Sequence, residues 1–216
     1  MIRLDIFSDP ICPWCYIGKA RLDRALASRP DHPFQVQWHP FQLNPEMPKY
    51  GMDRRAYLEG KFGGKDAAIK AYLPVATEAE ASGLEINLEA IKRTPNTLDA
   101  HRLIHWAGIE QKQNAAVDQL FKAYFVDGKD ISEAAQLIEI ATSIGMDGDV
   151  VARLLETDAD AEDIQARDAD ARHKGVRSVP TFVIANQHVI AGAQPTDLWA
   201  NAIDEITAQL AESNPA

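Results

Sequence analysis

Two cysteines three positions apart, in Cys12-Pro13-Trp14-Cys15, are the residues of this 216-residue chain best suited to covalent chemistry. Thiols at that spacing, in the first turn of a helix, can bring their sulfurs close enough to form a disulfide. Cys12 would stand at the helix N-terminus, where unpaired backbone N–H groups and the helix dipole favour an anion. The spacing therefore predicts thiolate character at Cys12. Cys15, one turn further in, is expected to be less exposed and able to resolve a mixed disulfide. Pro13 holds the loop at an angle compatible with a helix start, and Trp14 offers an apolar surface beside the sulfurs. Other uses of such a pair have less support. A structural disulfide closing so small a ring stabilises little. A zinc site needs about two further ligands, and His39 is the only helper in view, so no metal is expected. Two inert buried thiols remain the bland alternative.

The flanking residues set the elements that must position this pair. Ile2, Leu4 and Ile6 alternate with Arg3, Asp5 and Phe7, which predicts a strand buried mainly on one side, interrupted by Ser8-Asp9-Pro10. A helix is expected over about 12–26. Phe34, Val36 and Trp38 alternate into a second strand that stops before Pro40, so the opening reads strand–helix–strand. From about Met52 to Glu156 the pattern is helical almost throughout, which predicts four or five helices. Val117, Leu120, Phe121, Tyr124 and Phe125 form an apolar stripe. Asp130 and Glu133 are spaced as a capping box, and Gly145 fits the end of the helix that follows. A polar helix over 161–173, a hairpin of 181–185 with 188–191, and a helix after Pro195 complete the chain. Glu212 to Ala216 is expected to fray.

Composition narrows the function classes. With 22 basic and 32 acidic residues the formal net charge is -10, which disfavours nucleic acid and anionic membrane surfaces as partners. No apolar run reaches the roughly 20 residues needed to span a bilayer, and the first residues lack the pattern of a signal peptide. A cytoplasmic location is expected. Two cysteines are too few for a disulfide scaffold or a four-cysteine metal site. Monomer and homodimer stay open.

A second signal is Gly175 to Ile184, where Pro180 opens an apolar strand, either as a plain strand start or as a cis proline. With the cysteine pair, the chain resembles the thioredoxin-like DsbA family, and within it the cytoplasmic FrnE-type branch, along essentially its whole length. The motifs that carry this are Cys12 to Lys19, Trp38 to Pro45, Asn96-Thr97, Ala100-His101-Arg102, Val179 to Phe182 and Gly192 to Pro195. The resemblance implies an α/β fold in which a thioredoxin-like domain (1–45 and 158–216) is interrupted by an inserted all-helical domain (46–157). It makes Cys12 the attacking thiol, Cys15 the resolving thiol and Pro180 a cis proline lying against the disulfide. The Val179 backbone would pair with a bound peptide or glutathione, with Ser178 at the pocket edge. The implied activity is thiol–disulfide exchange on protein or low-molecular-weight substrates. No cofactor is required, and glutathione is the co-substrate to consider.

Some positions depart from that pattern. Thioredoxin-like enzymes often bury an acid six residues before the first cysteine, and here Ile6 stands there. Asp5 should face the opposite side. Asp9 is nearer, and reads equally as a loop or cap residue. Trp14 replaces the histidine of strongly oxidising relatives, so a potent disulfide donor is not expected. Ser178 stands where glycine is more usual. His101 and His105, one helical turn apart, read as a structural pair, as metal ligands or as groups over the groove. Asn96 reads as a helix cap or a substrate contact. The competing activity is a glutathione-dependent isomerase or transferase, of the kappa or 2-hydroxychromene-2-carboxylate isomerase type, whose members generally carry serine at the position of Cys12. A chaperone-like peptide-binding module is the non-catalytic reading.

Overall fold

The computed structural model describes residues 1–213; the three residues of the expected frayed tail beyond Ser213 lie outside them. The chain opens with β1 (Ile2–Ser8), α1 (Pro13–Ala27) and β2 (Phe34–Pro40). Because β1 and β2 are parallel, the chain must cross over between them, and α1 is that crossover. The remaining strands of the main sheet come from the far end of the chain, β5 (Thr181–Ile184) and β6 (His188–Ala191), giving the order β2-β1-β5-β6. Ile6 lies opposite Trp38 on one side and Phe182 on the other. Central placement changes the reading of β1. Leu4, Asp5 and Ile6 are all buried, so the strand is covered on both faces rather than mainly one.

Two further helices belong to this sheet, α8 (Ala161–His173) and α9 (Thr196–Ser213). Glu212 and Ser213, expected to fray, continue α9. Trp199 of α9 meets Phe182 edge-to-face at 4.7 Å and anchors the helix to the sheet.

Between β2 and α8 lies the helical insertion, with α2 (Arg54–Phe62), α3 (Lys65–Ala81), α4 (Leu98–Ile109), α5 (Gln113–Phe121), α6 (Ala134–Ser143) and α7 (Gly148–Leu155). These six helices exceed the four or five expected. A short antiparallel ladder of β3 (Met52–Asp53) with β4 (Arg93–Thr94) adds a strand pair to a region read as all-helical. The apolar stripe from Val117 to Phe125 is buried, and one π-helical turn (Lys122–Val126) extends α5. The expected capping box does not form. Asp130 accepts from the Ser132 N–H and hydroxyl instead, and α6 starts later, after Glu133. Gly145, at φ +80°, follows the end of α6 in the left-handed conformation that glycine tolerates.

The insertion grips α1, the helix that carries the cysteines. Lys19, 3 % exposed, lies 2.5 Å from both Asp23 and Asp118 of α5. Arg21 pairs with Glu78 and Ser82, and Arg24 donates to the Ser82 carbonyl. Tyr16 stacks on Phe121 and Phe125 at 5.3 and 5.4 Å. Such ties restrict the motion of α1 relative to the insertion.

Candidate active site

Cys12 has an extended backbone (φ -86°, ψ 113°) and caps α1, with Pro13 at the first helical turn. Its carbonyl accepts from the N–H groups of Cys15 and Tyr16, at 3.0 and 3.2 Å. The two cysteines are free thiols 3.5 Å apart. Cys12 is 4 % exposed and Cys15 1 %, so both are buried and the expected difference is small. Val179 closes over the first, and the Cys12 thiol points at its carbonyl, 3.6 Å away. Burial pushes the Cys15 thiol well above its ordinary range, and Cys12 beside it pushes further the same way. The Ser8 hydroxyl and the Asp9 backbone N–H oppose this by bonding to the Cys15 sulfur. Trp14 is half-buried between the main core and a small cluster of Ile17, Val75 and Ala79.

The Val179–Pro180 peptide bond is cis. Ser178 is exposed, and its carbonyl accepts from the Thr181 hydroxyl at 2.7 Å. Gly18, which follows the cysteines on α1, lets the helix approach this segment: a methyl group there would lie 3.0 Å from Pro180 Cγ.

Ile6 is buried and apolar, and Asp5 turns to His39 and Arg3. The buried acid beside the thiols is Asp9, which is fully enclosed. Its carboxylate accepts from the Leu43 N–H at 2.6 Å and the Ile11 N–H at 3.4 Å. Desolvation outweighs these bonds and raises its pKa to about 7. His101 reaches toward it from α4, with Nε2 3.9 Å from Oδ1. Burial lowers the His101 pKa to about 3, with Arg167 adding to the effect, so the ring is neutral at pH 7. Its Nε2 has no hydrogen-bond partner among the described residues.

The other singled-out residues take structural places. His105 meets Arg167 of α8 at 3.2 Å. Asn96 accepts from the Leu98 N–H and donates to the Met47 carbonyl, which caps α4 from one residue before the cap position. His39 bonds to Asp5 and stacks on Phe7.

Three contributors were not singled out by sequence reasoning. Ser8 touches the Cys15 sulfur, and Thr97 bonds to the Asp9 carboxylate. Asp168 accepts from the Gln42 N–H at 2.7 Å and so fixes the chain next to Leu43. The quoted motifs Trp38 to Pro45 and Asn96-Thr97 contain Gln42, Leu43 and Thr97, but their meeting around Asp9 depends on the fold.

Solved structures place this arrangement among known ones. A probable DsbA oxidoreductase from Streptomyces coelicolor superposes with a TM-score of 0.84 at 29% identity, covering 96% of this chain and 91% of that one. A 2-hydroxychromene-2-carboxylate isomerase gives 0.72 at 15% identity, over 98% and 99% of the two chains. The cytosolic disulfide reductase DsbM of Pseudomonas aeruginosa, solved with glutathione, gives 0.69 at 19%, over 95% and 99%. The latter two likenesses are of fold. The model of the DSBA-like thioredoxin domain matches residues 3–204, and the chain belongs to that family.

Proposed function

We propose that this protein is a thiol–disulfide oxidoreductase in which Cys12 exchanges with the substrate and Cys15 resolves the mixed disulfide. The reading rests above all on two free thiols 3.5 Å apart at a helix N-terminus, with Val179 over the first. In the reducing direction, the Cys12 thiolate attacks one sulfur of a substrate disulfide and expels the other as a thiolate, which takes up a proton. Cys15 then loses its proton and attacks the Cys12 sulfur. The second substrate thiolate leaves and is protonated in turn. The Cys12–Cys15 pair gives up two electrons and the substrate disulfide receives them. The oxidising direction is the reverse.

Burial holds the proton on Cys15, so the resolving step needs an acceptor close by. We assign that role to Asp9, whose backbone already touches the Cys15 sulfur and whose carboxyl titrates at about 7. Protein or low-molecular-weight disulfides in the cytoplasm are the substrates we infer, presented as extended backbone along Val179.

The test is equilibration of the Cys12–Cys15 pair with glutathione buffers, followed by Trp14 fluorescence. A reversible two-electron transition between roughly -120 and -270 mV supports the reading and sets its direction. Absence of a Cys12–Cys15 disulfide under oxidising buffer ends it. Glutathione-dependent turnover surviving in Cys12→Ser points instead to the isomerase or transferase chemistry. Peptide binding that survives loss of both thiols, without any turnover, points to the binding module.

A further inference from the structure

A cleft of about 670 Å³ opens within the insertion, between α2, α3 and residues 88–92, and none of residues 12–15 or 178–180 lines it. Its volume is that of a small-molecule site. Leu58, Ile69, Tyr72, Leu88 and Ile91 make the wall largely apolar, and Ile69 is half exposed over it. Arg54 also lines the cleft and is only 7 % exposed.

The surroundings of Arg54 are unusual for a buried cation. One guanidinium N–H donates to the Tyr124 hydroxyl at 3.0 Å, and the group lies 5.2 and 6.0 Å from the ring centres of Tyr72 and Tyr124. Among the described residues it forms no ion pair with a carboxylate, although a buried charge normally has a counter-ion. It is also the first residue of α2, at the end of the helix dipole that disfavours a cation. Of the three acids in the lining, Asp53 caps α2, Glu59 pairs with Arg55, and Glu89 is exposed and makes no ion pair with Arg54.

We propose that this cleft binds a small organic acid with an apolar chain or ring. The carboxylate takes the remaining N–H groups of Arg54 as a forked pair, and the hydrocarbon part lies along Leu58, Ile69, Tyr72 and Leu88. The bound carboxylate supplies the counter-ion that the fold leaves out. The α3 residue Tyr72 also packs against the cluster of Ile17, Val75 and Ala79 that Trp14 touches, so packed side chains connect the cleft wall to the dithiol loop.

Calorimetric titration of the full chain with octanoate, and with octanamide as its neutral counterpart, tests this. Saturable one-to-one binding of octanoate is expected, with octanamide weaker by roughly tenfold. Arg54→Met should weaken octanoate by about the same factor and bring it level with octanamide, while Cys12 reactivity is unchanged. Because Arg54 also supports Tyr124, Ile69→Glu on the exposed wall serves as a second variant, expected to keep the fold and lose octanoate. The proposal is overturned by the absence of saturable binding at millimolar octanoate, by equal affinity for octanoate and octanamide, or by unchanged octanoate binding in Ile69→Glu.

Discussion

Asp5 and Asp9 are four residues apart, and each faces a histidine, yet the two pairs are built differently. Asp5 bonds to His39 Nε2 at 2.5 Å and to Arg3 at 2.7 Å, and the His39 ring stacks on Phe7 with one edge toward solvent. Asp9 and His101 stand 3.9 Å apart, beyond hydrogen-bond range, in full burial. One pair is satisfied and closes the sheet. The other keeps a neutral ring nitrogen without a partner among the described residues, beside a carboxyl that titrates near neutrality and next to Cys15. Under-satisfied buried polar groups are rare and tend to mark working sites. If Asp9 accepts the Cys15 proton as proposed, the loose pair should matter to exchange and the tight pair only to the sheet.

The largest expected difference between the pairs is kinetic. Asp9→Asn should slow disulfide exchange at pH 7 by roughly a hundredfold and remove an inflection near pH 7 from the rate profile. Asp5→Asn should leave the rate within about twofold. Equal profiles for the two variants would break the comparison.

Thermal melts at several pH values give the next largest effect, because the two buried members of the loose pair titrate in opposite senses. Asp9 has a raised folded-state pKa, so between about pH 4 and 7 the folded protein holds a proton that the unfolded chain releases. Its contribution to stability therefore falls as pH rises through that window and is level above it. Asp9→Asn should gain several degrees in melting temperature relative to the parent between pH 5 and 8. His101 has a lowered folded-state pKa, so its contribution is present above about pH 6.5 and lost as pH falls toward 3. His101→Gln should flatten that acid limb and leave the alkaline side unchanged. Melts in which both variants parallel the parent would remove the distinction.

Smaller effects complete the series. His39→Gln should cost about 1 kcal/mol in chemical denaturation, because Asp5 keeps Arg3 as a partner. Gly18→Ala should change stability by less than about 1 kcal/mol, since better helix propensity opposes the close contact with Pro180. The same substitution should nevertheless slow exchange, because the added methyl would press on Pro180, next to the Val179 carbonyl that faces Cys12. An unchanged rate would show that this contact has slack.

What could be read without a structure was the local grammar. Cys12 to Cys15 follows a strand and starts a helix, and Thr181 to Ala191 is a hairpin, because strand, turn and cap preferences act over a few residues. Asp9 was legible only as one of two readings, since its burial depends on Leu43, Thr97 and Asp168, which lie far away in the chain. The double-sided burial of β1 was not legible: alternation reports one covered face, and the second cover is formed by layers assembled later. Asp130 and Glu133 had the spacing of a cap, but Ser132 offered Asp130 a nearer donor and won. The buried Arg54 carried no sequence signal beyond being one more arginine on a helix.

The strand order has a consequence for how the chain is made. β1 pairs with β2 within the first forty residues, but its other edge must wait for β5. At a synthesis rate of 5–20 residues per second, roughly ten to thirty seconds separate the emergence of Cys15 from that of Val179. Throughout that interval the nascent chain presents two thiols with no carbonyl over Cys12 and an unpaired edge on β1. Newly made chains are therefore open to oxidants and to strand pairing with other chains in a way that the finished protein, with both thiols buried, is not.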